Sequence, residues 1–145
     1  MIYKVNKFCN IGMKNLIKLC KEKWNILRKK INNKQTNHNS PIILTDDNFT
    51  ESVNKFQILI VDFWAAWCGP CKMISPLIKQ LSSELAGKAI FGKLNVDDNP
   101  SISNAFGIQS IPTIIIFKNG QVDDRIIGAM TKSQLILKIS THIER

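Results

Sequence analysis

Val61-Asp62-Phe63-Trp64-Ala65-Ala66-Trp67-Cys68-Gly69-Pro70-Cys71-Lys72 is the stretch on which the fold turns. Its first residues close an almost continuous β-branched and aromatic run, Ile58 to Trp64, of the kind that forms a strand buried on both faces. Pro70 suits the first turn of a helix, where its missing N–H costs nothing and its φ is already set. Apolar residues then recur through Leu85, and Pro76 inside that helix predicts a kink. Two cysteines therefore stand where a buried strand gives way to a helix.

Outward from this junction the chain alternates strand and helix patterns. Upstream, Ile42 to Leu44 reads as a short strand, and Thr45 as the cap of a helix that opens with Asp46 and Asp47 and ends near Lys55. Downstream, Ala89 to Val96 reads as a strand, and Asn99-Pro100 as cap and first position of a short helix to Phe106. Ile114 to Phe117 and Val122 to Ile127 flank Lys118-Asn119-Gly120-Gln121, and Asn-Gly between two such runs is the strongest short hairpin signal. Thr131 caps a last helix with Leu135, Ile136, Ile139 and Ile143 on one face. The early elements need right-handed crossovers between parallel strands and the last two strands pair antiparallel. An α/β fold follows, with a mixed sheet covered by helices on both faces.

The 145 residues suffice for one domain with a hydrophobic core and appendages. The net charge of +9 is confined to one end. Residues 1–40 carry ten Lys or Arg against Glu22 alone, whereas 41–145 carry ten bases and ten acids. We therefore divide the chain into a basic extension and linker, 1–40, and a neutral domain, 41–145. Within the extension Met13, Ile17, Cys20, Trp24, Leu27 and Ile31 form one stripe of a basic amphipathic helix, followed by a polar linker from Asn32 to Ser40. Apolar runs break within about six residues, so no spanning helix is expected. Lys14, Lys18 and Lys21 interrupt any signal-peptide core, and a transit peptide would carry more Arg and Ser. Of the four cysteines, at 9, 20, 68 and 71, only the last two are closely spaced, which fits a reducing compartment and a redox or metal role for the pair.

The Trp67-Cys68-Gly69-Pro70-Cys71 motif resembles the active site of the thioredoxin family, and the likeness runs from about residue 42 to 143 without covering the extension. The resemblance implies a three-layer α/β/α thioredoxin fold with a central mixed sheet of about five strands and four helices. It implies a Cys68–Cys71 redox disulfide with Gly69, Pro70 and Trp67 shaping it. Asp62 would deprotonate Cys71 by way of water, and Lys93 would tune Asp62. The Ile111-Pro112 bond would be cis, lining with Gly128 a groove for extended substrate. No bound cofactor is implied. The implied partners are disulfide-bonded proteins as substrates and a thioredoxin reductase as electron donor.

The residues can be read on their own terms as well. Cys68 stands at the mouth of a helix, where unpaired N–H groups and the positive dipole end favour a thiolate. Cys71 follows one turn on, within reach for a small disulfide ring. A zinc half-site would need two more ligands, and Cys9, Cys20, His38 and His142 offer no close pair; a structural bridge is the other alternative. A carboxylate within an apolar strand has a raised pKa and becomes a proton acceptor, unless Asp62 merely caps a turn. Lys93 can equally be a solvated side chain, Pro112 a trans edge proline, Trp64 plain core, and Cys20 a small residue on a helix stripe.

Function follows as a protein-disulfide reductase in redox homeostasis, with an oxidant or isomerase, or a thioredoxin-fold tethering module, as alternatives. The expected setting is a cytoplasmic monomer, with an organelle matrix or the membrane periphery as alternatives. For the extension, a solvated tail, an anionic membrane surface and an acidic partner stay open, ahead of nucleic acid.

Overall fold

The computed structural model describes residues 38–144, together with Lys23. Cys9, Cys20 and the helix expected from Met13 to Ile31, Lys23 apart, lie outside the described residues.

From residue 38 to 144 nine elements follow in order: β1 (Ile42–Leu44), α1 (Phe49–Lys55), β2 (Ile58–Trp64), α2 (Gly69–Glu84), β3 (Ile90–Asn95), α3 (Pro100–Ala105), β4 (Thr113–Lys118), β5 (Gln121–Ile127) and α4 (Lys132–Ile143). The strands form one sheet in the order β1-β3-β2-β4-β5. β1 and β2 flank β3 in parallel, whereas β4 runs antiparallel to both β2 and β5, so the sheet is mixed.

Side chains alternate across each strand, and the alternation sorts the core into two layers. Ile58, Ile60, Phe91, Ile114 and Ile116 face one side, where Ile74, Ile78 and Leu81 of α2 and Leu135 and Ile139 of α4 cover them. Leu59, Val61, Phe63, Ile90, Leu94, Ile115 and Phe117 face the other, under Phe49 and Val53 of α1, Ile102 of α3 and Phe106 at the end of α3. The second layer includes a ring cluster in which Phe49, Phe106 and Phe117 stand 5.3–5.6 Å apart. At about 1.5–3 kcal/mol for each fully buried Ile, Leu or Phe, these two layers supply most of the drive to fold. The result is the expected three-layer α/β/α sandwich of five strands and, among the described residues, four helices.

Local signals set several boundaries. Asn119 (φ 54°) and Gly120 (φ 86°) both take positive φ in the β4–β5 turn, as a two-residue turn matched to strand twist demands. Thr131 accepts from the Gln134 N–H while the Gln134 side chain accepts from the Thr131 N–H, a complete capping box for α4. Helix α2 continues through Pro76 as one element.

Two cap expectations fail. α1 starts at Phe49 instead of after Thr45, because Thr45 and Asn48 exchange side chain–backbone bonds and hold residues 45–48 in a turn. Asp46, expected at the head of α1, instead accepts from the Ser101 and Ile102 N–H groups at the head of α3. Asn99 consequently makes no cap bond of its own. Its side chain accepts from the Asp46 N–H and donates to the Asn95 carbonyl, tying the two loops together. The last linker residues also join the domain, since Asn39 O accepts from Ser83 Oγ at 2.8 Å.

Candidate active site

Topology brings the chemistry to one end of the sheet. Because β2 and β3 are parallel, the loops that leave them emerge side by side, and Val96 N–H donates to Trp64 O at that edge. Because β4 is antiparallel to β2, the start of β4 lies at the same end, with Thr113 opposite Phe63. The end of β5 meets it in turn, Ile127 opposite Thr113. Residues 65–71, 96–98, 110–113 and 128 are thereby gathered although up to 63 positions separate them in sequence.

Cys68 is the N-cap residue of α2, in extended conformation, and its Sγ accepts from the Cys71 N–H at 3.2 Å. The two sulfurs are bonded, with S–S 2.10 Å and Cα–Cα 5.3 Å. Cys71 is 1% exposed and Cys68 4%, so the second sulfur lies deeper. Ala65, Trp64, Val96 and Ile111 pack around them. Gly69 and Pro70 occupy the first exposed turn of α2, and a Cβ on Gly69 would meet nothing within 4 Å.

The Ile111–Pro112 peptide is cis, and Cys68 Sγ lies 3.8 Å from Ile111 O. Gly128, at φ 89°, donates its N–H to Pro112 O at 2.8 Å, which ties the end of β5 to this turn. Its positive φ explains the glycine, since space for a Cβ is open. Trp67 is 70% exposed and its indole N–H donates to Asp97 Oδ2 at 3.0 Å, which fixes the ring beside the disulfide. Trp67, Met73 and Ile127 are large apolar side chains left in solvent around this end.

Asp62 is buried in the centre of β2, flanked by Lys93 on β3 and Ile114 on β4. Alternation puts all three on the side covered by α2, the helix that carries Cys71. Neither carboxylate oxygen has a hydrogen-bond partner among the described residues. Burial pushes the carboxyl from 3.8 up to about 6, against the opposing pull of the Lys93 ammonium. Lys93 Nζ stands 3.9 Å from Asp62 Oδ2, donates to Ser75 Oγ, and lies 4.6 Å from the centroid of the Trp64 ring. Trp64 is thus half-buried between the disulfide and this ammonium.

A Cys-x-x-Cys pair at a helix mouth, a buried carboxylate of raised proton affinity on the side that this helix covers, and the cis Ile111–Pro112 turn beside the sulfurs can exchange disulfides. The family profile described as Thioredoxin matches residues 40–141. The chain belongs to the thioredoxin family. It is 51% identical over 100 residues to a thioredoxin of Chlorobaculum thiosulfatiphilum, covering 68% of this chain and 93% of that relative. Thioredoxin 2 of Chlorobaculum tepidum is 49% identical over 100 residues, covering 68% and 92%. A thioredoxin of Rickettsia felis is 48% identical over 94 residues, covering 64% and 90%. This thioredoxin-family chain is a thiol–disulfide oxidoreductase that acts as a protein-disulfide reductase, on disulfide-bonded substrates.

Sequence reading missed Asp97 and Ser75. Asp97 was accessible in principle, since it follows a strand parallel to β2 and so emerges beside the cysteines. Ser75 lies four residues after Cys71, hence on the same helix face, but a lone serine carries no signal that it meets a lysine eighteen residues on.

Proposed function

We propose that Cys68 is the attacking thiol of this reductase, Cys71 its resolving thiol and Asp62 the proton acceptor. The Cys68 thiolate attacks one sulfur of a substrate disulfide; that S–S bond breaks, a mixed disulfide forms, and the departing substrate thiolate takes a proton. Asp62 then takes the Cys71 proton through water, and the Cys71 thiolate attacks Cys68 Sγ. The Cys68–Cys71 bond forms, the second substrate sulfur leaves, and two electrons have passed to the substrate. The electrons reside in the sulfurs themselves, so the reaction calls for no bound cofactor. A thioredoxin reductase returns the enzyme to its dithiol.

The observation that carries this assignment is the position of Cys68 as N-cap, its sulfur taking the Cys71 N–H, since a helix mouth stabilises negative charge on that sulfur. Lys93, 3.9 Å from Asp62, tunes its proton affinity. Trp67, Gly69 and Pro70 shape the approach to Cys68, while Ile111, Pro112 and Gly128 form the groove along which an extended substrate pairs. The working form is a cytoplasmic monomer made of a domain from residue 41 and an extension, 1–40. The nine net positive charges of that extension suit an anionic membrane surface or acidic partner.

The test is turnover of a protein disulfide by purified protein. Cys68→Ser abolishes it, and Cys71→Ser stalls at a mixed disulfide through Cys68 that a reductant releases. Turnover by Cys68→Ser at the parent rate, or capture through Cys71 instead of Cys68, contradicts the assignment.

A further inference from the structure

Lys93 is held from three sides, and the strongest of its attractions is not the one it satisfies. A charge-assisted bond between ammonium and carboxylate closes at about 2.7–2.9 Å. Lys93 Nζ stops 3.9 Å short of Asp62 Oδ2 although both oxygens of that carboxylate lack a hydrogen-bond partner among the described residues. It donates at 2.5 Å to the neutral hydroxyl of Ser75 and keeps the Trp64 ring 4.6 Å away. Ser75 stands four residues beyond Cys71 in α2, so the hydroxyl reaches Lys93 from the helix that carries the deeper sulfur. Among the described residues no other charge competes in this place. β4 sets Ile114 opposite Asp62, and the buried residues of α2 on this face are Cys71, Ile74 and Ile78, which leaves Lys93 of β3 as the charged group facing the carboxylate.

We propose that Ser75 is a positioning residue of the dithiol reaction, restraining Lys93 from closing onto Asp62 and so preserving the carboxylate's affinity for the Cys71 proton. This rests on the reading of Asp62 as proton acceptor. Coulomb attraction varies inversely with distance, so closure from 3.9 Å to a hydrogen bond strengthens it by about 40%. At an effective dielectric near 20 that corresponds to roughly a tenfold loss of proton affinity, or about one pH unit. A carboxylate weakened as a base takes the Cys71 proton more slowly, and the mixed disulfide persists longer.

The full chain with Ser75→Ala, Ser75→Thr and Lys93→Met, singly and with Ser75→Ala added to Lys93→Met, tests this. Two quantities are read: the Asp62 titration midpoint by carboxyl ¹³C NMR of the oxidised protein, and the pH profile for release of a preformed mixed disulfide on Cys68. Ser75→Ala lowers the midpoint by about one pH unit, moves the acid limb of the release profile down with it, and slows release by up to roughly tenfold on the plateau above, where the carboxylate is already ionised. Ser75→Thr, which keeps the hydroxyl, restores both, and in the Lys93→Met background Ser75→Ala moves neither. An Asp62 midpoint that stays in place or rises in folded Ser75→Ala overturns the restraint. A midpoint that falls while the release profile stays fixed overturns the proton-acceptor reading and the catalytic half of the proposal, leaving the restraint of Lys93 established.

Discussion

Replacing Asp62 with Asn removes a carboxylate buried in the sheet, and the consequence for stability depends on pH. The folded protein holds this carboxyl at about 6 and the unfolded chain at its ordinary 3.8. Between those values the native state keeps a proton that the unfolded chain has released, so stability contributed by this site falls as pH rises through the window. Below pH 3.8 both states are protonated and the site is neutral in its effect; above about 6 the penalty for a buried carboxylate is complete. At roughly 1.4 kcal/mol per pH unit the penalty is about 3 kcal/mol. Burial is the larger cause and Lys93 opposes it, so the figure already includes their attraction. Asn keeps the shape but does not titrate, and whatever its amide costs in an apolar layer is the same at every pH. Urea unfolding of the oxidised parent and Asp62→Asn from pH 4 to 8 should show the variant gaining on the parent by about 3 kcal/mol across the window, then levelling off. A difference independent of pH, or one that favours the parent increasingly as pH rises, refutes the reasoning.

Two further substitutions probe the frame around the site. A Cβ on Gly92 would overlap Leu44 Cδ1 and lie 3.0 Å from its Cγ, and Leu44 is itself buried where β1 pairs with β3. Gly92→Ala should therefore cost about 1–3 kcal/mol in urea unfolding, as overpacking does; parent stability would contradict the packing described. Thr131→Ala removes half of the capping box of α4 and should cost about 1 kcal/mol, with amide exchange rising first in residues 132–135.

What the sequence discloses and what it conceals divide by range. Ile58 to Trp64, the Asn119-Gly120 turn and the Thr131 cap are legible because the force that sets each lies within a few residues of it: burial of a β-branched run, positive φ, a side chain meeting the amide three positions on. The head of α1 is misread because Thr45 and Asn48 satisfy each other in a turn, an outcome that propensity alone does not separate from a cap. Asp46 capping α3 is invisible, since the partners are 55 and 56 residues apart and meet only when β1 and β3 are paired. The site divides in the same way. Cys68 and Cys71 announce themselves by spacing, and Asp62 by being an acid in an apolar strand. Ser75 and Asp97 acquire meaning only when the sheet register sets Lys93 beside Asp62 and the loop after β3 beside Trp67.

The central claim is that the mouth of α2 holds Cys68 as a thiolate while Cys71 waits deeper as a thiol. Its most direct test is the pH dependence of alkylation of the fully reduced protein, followed residue by residue by mass spectrometry. Cys68 should be modified first, with a midpoint well below the 8.5 or so of a free cysteine, and Cys71 should resist until higher pH. A Cys68 that titrates as a free thiol does, or a Cys71 that reacts ahead of it, contradicts the account.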